Sequence, residues 1–230
     1  MELCYMKKNI FSGILLGVFC LVWVCAVALA ILHATDFLYR FDIHFLDIPS
    51  QTGLSEEVLL QNYHAILQYL NPFCSAAFTL PDFPFSEQGA FHFQECKTLF
   101  TGVYVLGIIC LGLSVLLLFF LKRKNKIHPA VFFSAAVTTV FLPLLLLSAI
   151  AINAEKSFTL FHQIFFRNNY WIFDINTDPV IQILPMDFFL HCGIFIGLCW
   201  ILCAAILFVL GMKRKKQNRT SPFWQKSSKA

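Results

Sequence analysis

Two histidines in this sequence are suited to acid–base chemistry, because each lies on a short helical stripe of aromatic residues beside an apolar stretch. One is His92, and the other is His162, around which phenylalanines recur at helical spacing. Aromatic surroundings exclude water from an imidazole and so favour its neutral form. A pair of neutral imidazoles can accept and return a proton near neutral pH, which predicts general acid and base catalysis.

Four other histidines have a simpler interpretation. An imidazole is comfortable where an apolar region meets water, because its ring is apolar and its nitrogens are polar. We expect this role for His33, His44, His64 and His191.

A metal site is the competing chemical interpretation of the first two histidines. The spacing His92-x-x-Glu95 would place two ligands one helical turn apart, and His162 would supply a third. Two histidines and a carboxylate form a ligand set of catalytic zinc, so this alternative predicts a membrane-embedded zinc hydrolase. The sequence has no His-Glu-x-x-His motif, and the acid–base pair and the zinc site remain separate hypotheses.

The composition indicates that these residues belong to a membrane protein. Hydrophobic residues make up 58% of the 230-residue chain and charged residues only 13%, and the mean hydropathy is +0.71. Soluble proteins have about 25% charged residues. The core of a soluble protein of 230 residues could not bury 27 phenylalanines. The composition therefore excludes soluble globular, disordered and collagen-like proteins.

Four stretches are apolar and long enough to cross a bilayer as helices, which takes about 20 residues. They cover residues 10–32, 100–121, 129–152 and 189–212, and none contains Asp, Glu, Lys or Arg. We therefore predict an all-α polytopic membrane protein with four transmembrane helices in a single integral membrane domain. Ion pathways need ionisable groups at bilayer depth, so a transporter or a channel is not expected.

The basic residues predict which side of the membrane each segment faces. Lys and Arg are concentrated near the N-terminus, between the second and third stretches, and in the tail 213–230. Because short basic segments stay in the cytoplasm, both termini are predicted to be cytoplasmic, and segments 33–99 and 153–188 form a small extracytoplasmic cap. The tail is interpreted as an anchor that contacts anionic lipid, with no role in binding nucleic acid.

A cleaved signal peptide is an alternative interpretation of the N-terminus, since lysines precede the first stretch and small residues end it. The apolar run of a signal peptide covers roughly 7–15 residues. The run here is longer, and an uncleaved membrane anchor is expected.

Glycine and cysteine residues lead to two further predictions, one about helix packing and one about a disulfide. Gly13 and Gly17 in the first stretch have the Gly-x-x-x-Gly spacing that lets helix backbones approach closely. The fourth stretch repeats the spacing at residues 193 and 197. Cys74 and Cys96 are predicted to face outward, where a disulfide is permitted, but sequence does not show whether their Cα atoms approach closely enough.

The outer segments contain local structural signals. Residues 55–70 begin with a capping serine and two acids, and their apolar residues recur at helical spacing until Asn71-Pro72. This amphipathic helix is expected to lie on the bilayer surface or to cap the bundle. Within it, Tyr63 is interpreted either as a surface anchor or as a donor to an oxyanion.

Two more signals lie in the second outer segment. Residues 170–173, Tyr-Trp-Ile-Phe, are typical of an interfacial aromatic belt. Asp178 followed by Pro179 predicts a helix start, with the acid at the cap and proline at the first helical position.

The histidine stripes and their neighbours resemble the Lit family, the lipoprotein intramolecular transacylases of Gram-positive bacteria, and the resemblance includes the four-span layout. Its most specific motif is Phe-x-x-Phe-His-x-x-Phe-Phe-x-Asn-Asn-x-Trp-x-Phe-Asp at residues 158–174. Looser matches lie at Asn62-Tyr63, Phe85-Ser86, residues 92–97 and residues 184–189. Glu95-Cys96 stands where the family pattern is expected to have Asp-Val.

The resemblance implies an acyl transfer on the outer leaflet of the cell membrane. A diacylated lipoprotein would move its sn-2 acyl chain to the α-amine of its own N-terminal cysteine and become a lyso-form lipoprotein. The family's histidine pair corresponds to His92 and His162, and no cofactor is implied. The implied partners are the diacylated lipoprotein and membrane phospholipid. Residues implied to bind the substrate or support the pair are Tyr63, Glu95, Asn168 and Trp171.

This chemistry needs no enzyme nucleophile, because the amine and the ester belong to one molecule. It needs a neutral amine, enforced proximity and support for the oxyanion. An α-amine titrates at about pH 8, so an imidazole is a suitable base. One histidine is expected to deprotonate the amine and the other to donate to the oxyanion or the alkoxide, in an order that the sequence leaves open. A non-enzymatic accessory protein of the membrane is the remaining alternative.

Overall fold

The computed structural model describes residues 2–123 and 127–220, of which 6–123 and 127–218 are described with their side chains. The regular structure of these residues is helical, without a β-strand, which confirms the predicted all-α class. Part of the predicted basic tail 213–230 lies outside the described residues. The helices are α1 (Glu2–Ala34), α2 (Phe37–Phe45), α3 (Ile48–Thr52), α4 (Glu56–Leu70), α5 (Glu87–Arg123), α6 (Pro129–Ile152), α7 (Ala154–Phe165), the 3₁₀ helix η1 (Pro179–Gln182) and α8 (Met186–Thr220).

Four of these helices are apolar and long enough to cross a membrane, as predicted. Their crossing-length segments are Met6–Ala34, Glu87–Arg123, Pro129–Ile152 and Met186–Asn218. The second begins well before the apolar run at residue 100, because no proline interrupts the chain between Ser86 and that run. The predicted site residues near residue 92 therefore lie on the same continuous helix as the second span.

The chain forms two compact units, of which the first comprises Met1–Ala26, Leu106–Leu146 and Gly197–Ala230. Small and aliphatic residues make up its buried core, because helices that approach closely leave little room for side chains. These core residues are Leu16, Cys20, Val131, Ala135, Ala136 and Leu207.

Gly13 and Gly17 mark a close approach of α1 to α6 within this unit. A Cβ built on Gly17 would lie 2.6 Å from the Cβ of Thr138 and 2.8 Å from the carbonyl oxygen of Ala135, both in α6. The predicted close helix packing is therefore confirmed for this glycine pair. A Cβ on Gly193, from the second pair, would meet open space.

The second unit comprises Val27–Val105 and Leu147–Ile196 and contains the predicted cap segments. The amphipathic helix predicted for residues 55–70 is confirmed as α4, where Ser55 Oγ accepts the backbone N–H of Val58 at 3.4 Å. Its apolar face joins a core that also receives side chains from α2 and η1. Residues at the centre of this core include Tyr39, Ile43, Leu59, Ile66, Val180 and Ile183.

The helix start predicted at Asp178-Pro179 is confirmed in part, because the short 3₁₀ helix η1 begins at Pro179 with Asp178 at its N-cap position. The side chain of Asp178 does not cap that helix. Its Oδ1 instead accepts the backbone N–H of Ser86 at 2.8 Å, while Ser86 Oγ accepts the N–H of Gly89 at 2.9 Å. A carboxylate is stabilised at the positive end of a helix, so Asp178 fastens the start of α5.

Helix α7 follows α6 directly, with Asn153 as the single residue between them. Asn153 Oδ1 accepts the backbone N–H of Lys156 at 2.8 Å and caps the helix. One face of α7 is buried around His162, and the adjoining face carries exposed apolar side chains. These exposed side chains are Leu160, Phe161, Ile164 and Phe165.

The disulfide that the sequence left open is not formed, since Cys74 and Cys96 are both free thiols. The two regions are joined by a different contact, in which Lys97 Nζ donates to the carbonyl oxygen of Cys74 at 2.5 Å. The Lys97 ammonium also lies 4.7 Å from the centre of the Tyr69 ring, a favourable cation–π distance.

The close approach at Gly17 predicts a large effect of a single methyl group. Gly17→Ala should lower the free energy of unfolding by about 1–3 kcal/mol, because α1 and α6 must separate to admit the Cβ. Gly112→Ala is the matched control, since a Cβ there meets nothing within 4 Å and alanine favours helix by about 1 kcal/mol. Thermal unfolding of both variants in one detergent checks this, and equal midpoints would contradict the packing.

Candidate active site

His92 lies on the second turn of α5, close to the helix start that Ser86 and Asp178 fasten. Its side chain is buried, with 7% of the residue exposed. The ring contacts the edges of two phenylalanines, with centroid distances of 4.8 Å to Phe166 and 5.6 Å to Phe173. The orientation of His92 is therefore set by its own helix and by the segment that follows α7.

His162 lies in the last turn of α7 and is also buried, at 8% exposure. Its Nδ1 is 2.8 Å from the carbonyl oxygen of Phe158, one turn earlier in the helix. A carbonyl can only accept, so we assign the proton of the neutral ring to Nδ1. The unprotonated nitrogen is then Nε2, with its lone pair available for a proton.

The structure brings the two histidines together. Their ring centroids are 5.9 Å apart, with an angle of 39° between the ring planes. Phe166 lies beside both, at 4.8 Å from His92 and 5.5 Å from His162. Two separate segments of the second unit thus place a pair of imidazoles in one aromatic enclosure.

Trp171 and Phe173 form walls of this enclosure. The Trp171 ring stacks on His162 at 4.6 Å, and its Nε1 donates to the carbonyl oxygen of Asn168 at 3.0 Å. Phe173 contacts His92, whereas Tyr170 before Trp171 and Ile172 after it are exposed. Residues 170–173 were predicted as an aromatic belt, but alternate side chains turn inward, because the segment is not helical here and its successive residues point in different directions.

Glu95 and Asn168 join the two segments. Asn168 Nδ2 donates to Glu95 Oε1 at 2.8 Å, across 73 residues of sequence. The second carboxylate oxygen, Oε2, is 3.9 Å from His92 Nδ1, too far for a hydrogen bond. Within the described part of the chain, both atoms are buried and have no hydrogen-bond partner.

Burial controls the protonation of His162. Removal of water from the ring lowers the pKa of His162 below its ordinary value, and the hydrogen bond to the Phe158 carbonyl opposes this shift. The imidazole is therefore neutral at pH 7 and can act as a base there.

Tyr63, the fourth implied supporting residue, lies elsewhere in the second unit. It is buried in the core of the unit, where its ring stacks on Tyr39 at 4.1 Å and meets the edge of Phe188 at 5.8 Å. None of the ring contacts described for His92 or His162 involves Tyr63. Its position is that of a packing residue and not that of a surface anchor.

The zinc alternative has no geometric support. Among residues 6–123 and 127–218, no group of three His, Cys, Asp or Glu side chains is arranged to hold a metal ion. In particular, the Nδ1 of His162 already donates to the carbonyl oxygen of Phe158 and is not free to bind a metal ion.

The four histidines with the simpler interpretation each have a polar partner. His33 contacts the hydroxyl of Tyr104 at 3.0 Å and the carbonyl of Leu67 at 2.6 Å. The other three face carboxylates, in the pairs His44–Glu56 at 3.6 Å, His64–Asp36 at 2.9 Å and His191–Asp42 at 2.6 Å. Aromatic enclosure without a carboxylate hydrogen bond distinguishes His92 and His162 from them.

One neighbour of the pair was missed from the sequence. Cys96 Sγ lies 3.5 Å from His92 Nε2, one helical turn further along α5. The spacing of four residues was a usable signal, but it depends on α5 extending back through this region.

The chain is similar to known proteins of one family. A family model described as "Lipoprotein intramolecular transacylase Lit" matches residues 14–189. The in meso structure of the membrane integral lipoprotein intramolecular transacylase Lit from Bacillus cereus is 28% identical, with a TM-score of 0.86 over 94% of this chain and 99% of that chain. No curated protein matched the sequence.

Two variant structures of the same Bacillus cereus protein are also similar. One carries a histidine-to-arginine substitution and is 28% identical, with a TM-score of 0.80 over 93% of this chain and 94% of that chain. The other carries a histidine-to-alanine substitution and is 27% identical, with a TM-score of 0.82 over 96% of this chain and all of that chain. The family model covers most of this sequence, including both histidines, and the chain belongs to the lipoprotein intramolecular transacylase family, Lit.

Proposed function

We propose that His162 and His92 carry out the acyl transfer of this family, with His162 as the base and His92 as a hydrogen-bond donor. By its family the chain is a membrane-bound acyltransferase, a lipoprotein intramolecular transacylase. The observation that carries the assignment is the pair of buried imidazoles 5.9 Å apart, of which His162 has its Nδ1 committed to a backbone carbonyl.

The proposed reaction takes place within one diacylated lipoprotein. The α-amine of its N-terminal cysteine attacks the carbonyl carbon of the sn-2 ester, a carbon–nitrogen bond forms, and the bond between that carbon and the sn-2 oxygen breaks. One proton leaves the nitrogen and one proton is gained by the oxygen, which gives an amide and an alcohol. Because both groups belong to one molecule, holding them in contact replaces an enzyme nucleophile.

His162 is suited to move this proton. Its Nε2 lone pair can accept the proton of the attacking amine, while the bond from Nδ1 to Phe158 holds the ring in place. The resulting imidazolium can return the proton to the departing alkoxide. The lowered pKa of His162 favours this return, since the charged ring is unstable in its apolar surroundings.

His92 and Glu95 offer a matched pair of polar atoms to the reacting groups. A tetrahedral intermediate has a nitrogen that carries hydrogen and a negatively charged oxygen on the same carbon. Glu95 Oε2 can accept from that nitrogen, and a proton on His92 Nδ1 can be donated to that oxygen. Both protein atoms are buried, have no hydrogen-bond partner among the residues that the structure describes, and lie 3.9 Å apart, which supports their use by a bound substrate.

Asn168 and Trp171 are proposed to hold these groups in place. Asn168 fixes Glu95 through the hydrogen bond to Oε1, so the carboxylate presents Oε2 toward His92. Trp171 covers one face of the His162 ring and keeps water from it. Neither side chain needs to contact the reacting atoms to affect the rate.

The membrane is the proposed second partner, and the site is proposed to face the extracytoplasmic side. Helix α7 starts one residue after the third crossing-length helix and exposes an apolar face beside His162. Such a helix fits the lipid interface, where its exposed side chains would contact phospholipid. The acyl chains of a lipoprotein anchored in the outer leaflet would then reach the histidines without leaving the membrane.

Mass spectrometry of a diacyl lipopeptide incubated with purified protein tests the activity. The wild-type protein should give a product of unchanged mass whose N-terminus is acylated. His162→Ala should lower the rate by about 10²–10⁴-fold through loss of the base, and His92→Ala by about 10²–10³-fold through loss of the donor.

His64→Ala is the matched control, because this histidine is paired with Asp36 at the surface of the same unit. It should retain the wild-type rate. Release of free fatty acid would indicate a hydrolase instead of a transacylase. Full activity in the protein lacking both His92 and His162 side chains would overturn the assignment.

The pH dependence of the rate should identify His162 as the base. As the pH is lowered, the rate should first fall because the substrate amine, with a pKa of about 8, becomes protonated. The fall should become steeper only below about pH 6.5, where His162 is protonated, because burial lowers the pKa of His162. Trp171→Ala admits water to the ring and raises that pKa, so the steeper fall should begin at a higher pH. Tyr170→Ala, which removes an exposed neighbour, should leave the profile unchanged. A profile that Trp171→Ala does not move would argue against His162 as the base.

The proposed topology is tested in intact cells with a maleimide that cannot cross the membrane. Phe73→Cys places a thiol at a position that is 95% exposed and should be labelled from outside, above the wild-type background. Lys213→Cys, just beyond the fourth predicted span, should be labelled only after the cells are opened. The reverse pattern would place the histidine pair in the cytoplasm.

A further inference from the structure

The contact between Cys96 and His92 has no role in the mechanism above. Cys96 is a free, partly buried thiol whose Sγ lies 3.5 Å from His92 Nε2, within the range of a hydrogen bond to sulfur. The other nitrogen of the same ring, Nδ1, is buried and has no partner among the described residues. Within the described part of the chain, the thiol is therefore the one group that hydrogen-bonds to the imidazole of His92.

A neutral imidazole carries one proton, so the contact on one nitrogen determines the chemistry of the other. If Nε2 donated its proton to the sulfur, Nδ1 would present a lone pair to Glu95 Oε2 at 3.9 Å, and the two would repel each other. If the thiol donates to Nε2, Nδ1 carries the proton, and its N–H is attracted to the same carboxylate. The surroundings of Nδ1 favour the second arrangement.

We propose that Cys96 is a positioning residue, whose thiol donates to Nε2 of His92 and thereby keeps His92 in the form protonated at Nδ1. The consequence for catalysis rests on the proposed function, in which Nδ1 is the nitrogen that donates to the oxyanion. Cys96 acts only through His92 and does not contact the reacting atoms.

The surroundings explain why a thiol suits this position. Hydroxyl side chains on α5 donate to the carbonyl one turn earlier, as Thr98 does to Gln94 at 3.0 Å and Thr101 does to Lys97 at 2.7 Å. A thiol forms weaker hydrogen bonds and has a longer bond from Cβ, so its sulfur can reach the ring of the residue four positions earlier. Valine at residue 96 would keep the volume but leave Nε2 without a donor.

Nitrogen NMR of isotope-labelled histidine tests the inference independently of activity, because the ring shifts distinguish protonated from unprotonated nitrogens. The His92 signals are assigned by their loss in His92→Gln. In the wild-type protein, Nδ1 should be protonated and Nε2 unprotonated. In Cys96→Val, a fraction of His92 should move to the form protonated at Nε2. A wild-type ring protonated at Nε2, or an unchanged spectrum in Cys96→Val, would overturn the proposal.

Cys192→Val is the matched control, since Cys192 is another helical, partly buried free thiol that packs against the same core. It should leave the His92 signals as they are. Both valine variants should unfold near the wild-type temperature, so a merely structural role of Cys96 would appear as a lower midpoint with unchanged ring signals, and this result would also contradict the proposal.

Lipopeptide turnover then separates the inference from the proposed function. Cys96→Val should lower kcat about tenfold with little change in KM, because it weakens an interaction made only in the transition state. If the ring signals shift as expected but His92→Ala retains full activity, the proposed role of His92 fails and the positioning contact stands. If His92→Ala is inactive while Cys96→Val has wild-type signals and turnover, the positioning role alone fails.

Discussion

The helix that carries His92 continues without interruption into the second membrane span, and this continuity constrains the rest of the site. Since α5 is rigid, the directions of His92, Glu95 and Cys96 are fixed relative to one another by helical geometry. The groups that complete the site come from α7 and the segment after it, and they contact the face of α5 that carries His92 and Glu95. Among the described residues, Asn168 donates a hydrogen bond to Glu95, and the carboxylate of Asp178 accepts one from the backbone N–H of Ser86; both hold this segment against the start of α5.

Enclosure by aromatic rings gives the two histidines their distinct chemistry. The imidazoles of His64 and His191 face carboxylates. His92 and His162 have phenylalanine and tryptophan rings around them instead, so the neutral form is favoured. A neutral ring has one donor and one acceptor, and the contacts of Phe158 and Cys96 determine which nitrogen has which role. His92 and His162 can therefore have different chemical roles, although both are histidines.

Helix α7 contributes to the proposed route of the substrate. The exposed apolar face of α7 adjoins the face that buries His162, so a lipid chain in contact with the helix is already near the base. An amine and an ester in one lipid-anchored molecule need little more than alignment, proton transfer and oxyanion support. The small number of polar atoms in the site, mostly from His92, His162 and Glu95, is consistent with that requirement.

The sequence alone determined the elements that depend on composition and local spacing. Uninterrupted apolar runs predicted the four long helices, because a helix satisfies all the backbone hydrogen bonds of a membrane-crossing segment internally. Ser55 and Asn71-Pro72 predicted the bounds of α4 through helix capping and the geometry of proline. The histidine pair was found through its aromatic stripes and through resemblance to a family. Tertiary structure decided what depends on contacts between distant residues. In the folded chain Tyr63 packs in a core, and Trp171 and Phe173 contact the imidazoles. Asp178 accepts a hydrogen bond at the start of α5 and does not cap its own helix. Most of these contacts join residues that are far apart in the sequence, and no local pattern encodes which partner a buried polar group or ring will meet.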